Sequence, residues 1–238
     1  MGTKAILFDL DGTLLPMDYE IFTKSYFSAL AKKLAPYGYD AKELVDAIWK
    51  GTAAMVKNDG RENNEKVFWQ AFSAIFGEKV YDDIKLFDEF YRTDFQDIEK
   101  VCGQNGKAED TISLIKKRGF RIALATNPIF PSVATESRVR WAGLDIKDFE
   151  LYTTYENIGY CKPNPEYYLE IAQRLGVTPQ ECLMVGNDVG EDMIASTVGM
   201  KVFLLTDCLI NKQDEDISAY PSGDFDKLCE FIVSLSGE

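Results

Sequence analysis

Asp9 and Asp11 stand two residues apart, directly after the apolar run Ala5-Ile6-Leu7-Phe8. On extended chain that spacing points both carboxylates the same way. Two anions a few ångströms apart do not both stay ionised cheaply, so the pair wants either a shared proton or a cation. A further acid, Asp188, with Asp192 four residues on, turns the pair into an oxygen-ligand set with open positions, which suits Mg²⁺ better than zinc. Lys162 adds a positive charge and Thr126 a hydroxyl, as the equatorial oxygens of a phosphoryl group require. The chemistry that these side chains fit together is attack on a phosphate ester.

Each residue taken singly has a plainer reading. An Asp-x-Asp pair is commonly a turn or a helix cap, Thr126 an N-cap, Lys162 a solvated side chain and Asp188 a capping carboxylate. Their coincidence at strand ends in one chain reverses the odds. Composition narrows the chemistry further. The 238 residues include no histidine, which removes imidazole triads, His-ligated zinc and His general bases. Acids outnumber bases 39 to 26, a net charge of −13, so the chain is not expected to bind nucleic acid, which gains affinity from Lys and Arg.

Five cysteines, Cys102, Cys161, Cys182, Cys208 and Cys229, are scattered without a CxxC pair and suggest a reducing, cytoplasmic setting. Cys161 lies beside Lys162, but with no imidazole to activate it a packing role is expected. The start, Met1-Gly2-Thr3-Lys4, reads as neither a signal peptide nor a transit sequence. No apolar run approaches the ~20 residues of a membrane span, so no membrane partner is expected.

The elements that must position these residues fall into two textures. Ala5 to Phe8 is a continuous apolar run of the kind found in a buried parallel strand. From Asp18 the pattern is helical: Ile21, Phe22, Tyr26, Phe27, Leu30 and Leu34 share one stripe, and Pro36-Tyr37-Gly38 ends it. Asp40 and Glu43 resemble a capping box for a second helix carrying Leu44, Val45, Ile48 and Trp49. Lys57 to Asn64 is a polar loop, followed by two further helical stripes, 67–76 and 84–91. Trp49, Trp69 and Trp141 are expected in the core.

After Gly103 the pattern alternates. Strands are expected at 122–125, 152–154, 182–185 and 202–205, with helices ending near Gly119, Gly143 and Gly176. Repeated βα units imply an α/β fold, a Rossmann-like three-layer core with a parallel sheet, and an inserted all-helical cap domain. The expected division is a core of residues 1–15 and 104–238 with a cap of residues 16–103. Ligands of such sheets bind at the carboxyl ends of the strands, and the chemistry-bearing residues all follow strands.

Those segments resemble the four motifs of the haloacid dehalogenase superfamily. Phe8-Asp9-Leu10-Asp11-Gly12-Thr13-Leu14 looks like its first motif and Thr126-Asn127 its second. Lys162-Pro163-Asn164-Pro165 is similar to the third, and Gly186-Asn187-Asp188-Val189-Gly190-Glu191-Asp192 to the fourth. The match covers about 150 residues in the family's order, and the helical insertion sits where the family carries its type-1 cap. By that resemblance Asp9 is the nucleophile that becomes an aspartyl-phosphate. Asp11 protonates the leaving alcohol and then deprotonates water. Lys162 and Mg²⁺ keep Asp9 ionised. Gly12, Thr126, Asn127 and Lys162 hold the phosphate. Asp9, Asp11 through its carbonyl, Asp188 and Asp192 hold the metal, although counting back from Ala195 puts Asn187 in the usual ligand slot.

An acid at position 11 argues for phosphoryl chemistry, because the family's dehalogenases lack one there. The resemblance therefore implies a Mg²⁺-dependent phosphatase of a small phosphorylated metabolite. A phosphomutase of the same superfamily is the alternative. A receiver-like signalling module is disfavoured, since its phosphorylated Asp sits on an internal strand of a domain half this length. A non-catalytic binding protein would have little reason to keep every acid, Thr126 and Lys162 together. Lys57, Arg61 and Asn63 are weak candidates for contacting the leaving group. Nothing in the chain fixes an oligomeric state.

Overall fold

The computed structural model describes residues 2–235. Strands β1 (Ala5–Phe8), β2 (Arg121–Leu124), β3 (Leu151–Tyr152), β4 (Cys182–Gly186), β5 (Lys201–Leu205) and β6 (Ser222–Gly223) form one sheet in the order β3-β2-β1-β4-β5-β6. Every pairing is parallel. Helix α5 (Gly106–Lys117) precedes β2, α6 (Ser132–Trp141) and α7 (Pro165–Arg174) follow β2 and β3, and α8 (Phe225–Ser234) closes the described chain.

Alternation along β1 divides its side chains between two apolar layers. Ile6 and Phe8 join Ile112, Val139 and Leu228 from α5, α6 and α8. Ala5 and Leu7 face the other way, against Tyr167, Tyr168 and Ile171 of α7. A strand covered on both sides must be apolar throughout, which is why these four residues are all buried. The result is the expected three-layer α/β core.

Between β1 and α5 the chain forms helices α1 (Tyr19–Leu34), α2 (Ala41–Val56), α3 (Asn64–Phe76) and α4 (Val80–Arg92), then a 3-10 helix at Asp94–Val101. Asp18, Asp40 and Asn63 cap α1, α2 and α3 by accepting hydrogen bonds from first-turn N–H groups. The outgoing and returning passages touch: Gly103 N–H donates to the Pro16 carbonyl at 2.7 Å, beside a bridge between Met17 and Cys102. The helical block is not set apart by solvent. Its apolar residues are continuous with one layer of the sheet core, and Phe95 meets Trp141 at 5.0 Å while Phe22 and Tyr26 both abut Phe130.

Three expectations are corrected. Trp49 is 45% exposed, tilted against Phe27 and lining a cavity, at the edge of an α2 stripe whose Leu44 and Ile48 are buried. The third strand is shorter than read and lies at Leu151–Tyr152, with Thr153 already turning off it. The short β6 carries too little apolar pattern to have been read as a strand.

Candidate active site

Register puts the chemistry on one edge. Phe8 is level with Leu124 on one side and Val185 on the other. The residues just beyond these strand ends, Asp9, Thr126 and Asn187, therefore emerge side by side, where β1 and β4 diverge into different connections. Asp9 N–H donates to the Val185 carbonyl at 2.9 Å, and Ala125 N–H to Phe8, so the ladder runs right to the site.

Asp9 is nearly buried. Its Oδ1 accepts from Lys162 Nζ at 2.8 Å and its Oδ2 from the Thr13 hydroxyl at 3.2 Å. Lys162 is fully enclosed and also donates to Asp192 Oδ1 at 2.6 Å. Burial alone would depress the Lys162 ammonium, but Asp192 and Asp9 overcome it and hold the ammonium well above its ordinary value. It stays charged. Burial also pushes the Asp192 carboxyl up, against the pull of Lys162. The other Asp192 oxygen accepts from Asp188 N–H at 2.9 Å. Gly186 admits this arrangement, since a Cβ there would fall 2.1 Å from Asp192 Oδ2.

The two neighbouring acids take one cation each. Asp11 Oδ2 accepts from Arg138 Nη1, a residue that the sequence reading did not single out. Arg138 is completely buried on α6, with its guanidinium 4.4 Å from the Phe130 ring and Nη2 on the Thr135 hydroxyl. A signal for it existed. Arg138 shares a helix face with Ala134, Trp141 and Ala142, and a cation on an apolar stripe needs a buried anion. Burial raises the Asp11 carboxyl to about 6, with Arg138 pulling the other way and Asp9 adding to the rise. Its second oxygen, Oδ1, is buried and finds no protein partner.

The turn after β1 is built around Gly12. Its φ of +83° suits glycine, and a Cβ would lie 2.4 Å from Asn187 Nδ2. Asn187 Nδ2 donates to the Cys208 carbonyl at 2.7 Å, which fixes the amide so that Oδ1 accepts from Thr13 at 2.8 Å. One hydroxyl thus ties Asp9 and Asn187 together. Thr13 went unnamed among the candidates because a threonine after Gly reads as ordinary turn chemistry. Asp188 lines the same cavity, but its Oδ1 accepts from the N–H groups of Gly190 and Glu191. Among the described residues, no three acids or thiols gather as a ready-made metal cluster.

Thr126 is buried, its carbonyl gripped by the Thr153 and Tyr167 hydroxyls at 2.7 Å. Asn127 Nδ2 donates to Glu191 at 3.0 Å, and Asn127 Oδ1 is a second buried atom without a protein partner. Asp9, Asp11, Thr126, Asn127, Asn187, Asp188 and Asp192 all line one cavity of about 360 Å³. Lys57, Arg61 and Asn63 do not. Arg61 pairs with Asp59 in solvent, and Asn63 caps α3 while donating to the Glu156 carbonyl. Cys161 accepts from Asn64 at 3.2 Å, and burial pushes its thiol up to about 12, so it remains protonated packing.

The family model of haloacid dehalogenase-like hydrolases matches residues 3–196. The chain belongs to that family, and it is an enzyme. It stands with the phosphoric monoester hydrolases of that family. A pyrophosphatase PpaX of Bacillus cereus (strain AH820) is 25% identical over 99% of this chain and 98% of its own length. Solved structures share the fold. A HAD phosphatase from Thermococcus onnurineus superposes with a TM-score of 0.59 at 19% identity, covering 97% of this chain and 98% of that one. A 2-haloacid dehalogenase from Pseudomonas syringae pv. Tomato DC3000 reaches 0.62 at 20% identity, covering 97% and 98%.

Proposed function

We propose that the enzyme is a Mg²⁺-dependent phosphatase that hydrolyses a small phosphorylated metabolite through an aspartyl-phosphate on Asp9. The observation that carries this reading is the division of cations: buried Lys162 on Asp9 and buried Arg138 on Asp11, with the two aspartates lining one cavity. Asp9, hydrogen-bonded to the Lys162 ammonium, is the group placed for attack on phosphorus, while Asp11, raised to about 6, is able to carry a proton on its unpartnered Oδ1. In the first half-reaction an Asp9 oxygen bonds to phosphorus, the bond to the leaving oxygen breaks, and Asp11 gives that oxygen its proton. In the second, Asp11 takes a proton from water, the hydroxide bonds to phosphorus, and the Asp9–phosphorus bond breaks. Inorganic phosphate and the Asp9 carboxylate are restored.

The donors present suit Mg²⁺. They are all hard oxygens, and a magnesium site that leaves most of its shell to water and substrate needs only one or two carboxylates. In this reading Asp9, the Asn187 amide oxygen, the Asp11 carbonyl and Asp188 would hold the ion, which when bound would supply positive charge for the phosphoryl group. Asp192 accepts from Lys162 at 2.6 Å and holds that ammonium beside Asp9. Gly12, Thr126, Asn127 and Lys162 receive the phosphate oxygens. Residues 16–103 act as the cap that walls the leaving group.

The phosphomutase alternative requires groups that rebind a bisphosphorylated sugar, and the cap wall of the cavity has no basic residue to do so. The pyrophosphatase relative supports phosphoryl transfer to water. Five unpaired cysteines fit a reducing cytoplasm, and no helix among the described residues is long and apolar enough to cross a membrane. The test is phosphate release from a panel of phosphate esters with Mg²⁺, with EDTA, and in Asp9→Asn. The expected result is turnover only in wild type with metal. Turnover that persists in the Asp9 variant, or that needs catalytic bisphosphate, overturns the reading.

A further inference from the structure

The geometry points to a phosphate monoester whose leaving group is apolar and ring-sized, carrying no second anionic group. This deepens the phosphatase reading and rests on it. The phosphate end of the cavity is polar, as described, but the far wall comes from the helical block and is of another kind. Phe22, Phe27, Trp49, Phe68, Trp69 and Phe87 line it, with Phe130 and Tyr155 closing from the α/β side. No Lys, Arg, Asn or Gln from residues 16–103 lines the cavity, and the charged side chain contributed there is an acid, Glu20. The tyrosine hydroxyls on the wall are already spent in part, Tyr26 on Tyr91 at 2.9 Å.

The cavity's one lysine, Lys212, enters from the α/β side, two residues beyond Ile210, whose backbone pairs with Asn187 and Asp188; against the aromatic wall itself a carboxylate or second phosphate on the leaving group would have no counter-ion, which is unfavourable. A sugar would find only scattered hydroxyls on that wall, Thr23 and Thr52 among them, beside its many rings. A ring gains instead, since each apolar side chain removed from water on such a surface contributes favourably and edge-to-face packing adds to it. The space agrees: about 360 Å³ exceeds the roughly 150 Å³ that suffices for a benzene-sized guest and leaves room for the phosphate.

Apart from pyrophosphate, an anhydride that tests tolerance of a second phosphate, the experiment compares esters of ordinary alcohols, so that leaving-group reactivity does not decide the outcome among them. Benzyl phosphate and 2-phenylethyl phosphate are set against phosphoglycolate, glycerol 3-phosphate and pyrophosphate, all with Mg²⁺. Only the activity lost in Asp9→Asn is counted. The expected result is a kcat/KM at least about 100-fold higher for the ring-bearing esters. Two cap variants add a readout. Thr52→Arg places a cation on the half-buried cavity wall and should narrow that preference at least about tenfold, by raising turnover of phosphoglycolate and lowering that of benzyl phosphate. Phe27→Ala should cost benzyl phosphate about tenfold more than it costs phosphoglycolate. If phosphoglycolate, glycerol 3-phosphate or pyrophosphate is turned over as well as benzyl phosphate, the inference falls and the phosphatase reading stands. If no ester in the panel, 4-nitrophenyl phosphate included, is hydrolysed with Mg²⁺, the reading itself falls and takes the inference with it.

Discussion

Lys162 and Arg138 resolve at the level of single side chains a conflict that two adjacent aspartates create. Asp9 needs to remain an anion and Asp11 needs to hold a proton, and the structure gives the first a shared ammonium and the second a burial that outweighs its guanidinium. Asp11→Asn should therefore lower kcat for alkyl phosphates by about 10²- to 10⁴-fold, and much less for 4-nitrophenyl phosphate, whose leaving group departs without a proton. The pH profile has a sign. Asp11 is protonated below about 6 and loses its proton above it, so kcat for alkyl esters should fall as pH rises through that region. Arg138→Met removes a pull toward ionisation and should carry the alkaline limb upward. A limb that stays in place in the pH–rate profile of that variant would show that Asp11 is not the titrating acid. Sequence spacing put Asp9, Asp11 and Thr126 just beyond strands and Lys162 in the loop after β3, and the fold brings Lys162 against Asp9. Spacing did not reveal Arg138, whose partner lies 127 residues away and is visible only once α6 is packed.

At the scale of elements, the site depends on strand ends held level and on a helical block held against them. The βα rhythm made the five main strands readable, since a strand buried on both faces has to be an apolar run. What could not be read was which way α2 turns, and so whether Trp49 is enclosed; that depends on contacts made after folding. The fastening at α3 is specific. Asn64 is buried at its first residue, donating to the Pro128 carbonyl at 3.3 Å and to Cys161. Asn64→Ala leaves those acceptors without their donor and should cost about 1–3 kcal/mol, read as a fall in Tm of roughly 2–10 °C in a thermal melt. A Tm within a degree of wild type would mean that the aromatic contacts hold the block without it. Gly186→Ala should be worse for activity than for folding, because the new methyl displaces Asp192 from Lys162.

The whole molecule carries a charge of −13, and its substrate is an anion. Approach is slowed by that repulsion at low salt, and added salt screens it. Raising ionic strength from about 0.01 to 0.15 M at saturating Mg²⁺ should increase kcat/KM severalfold while leaving kcat nearly constant. A kcat/KM that falls with salt would mean that a local positive field, from Lys162 and Arg138, reaches further than the surface acids.

The rings shared between the helical block and the sheet have a consequence for traffic. Swinging the block open would strip Phe95, Trp141, Phe22 and Phe130 from one another, and wetting each ring costs on the order of 2–3 kcal/mol. A wide jaw-like gape is thus too expensive to occur on every turnover. Reactant and product are therefore expected to pass where Tyr19 and Trp49, 52% and 45% exposed, line the cavity, and that passage would set the girth of molecule admitted.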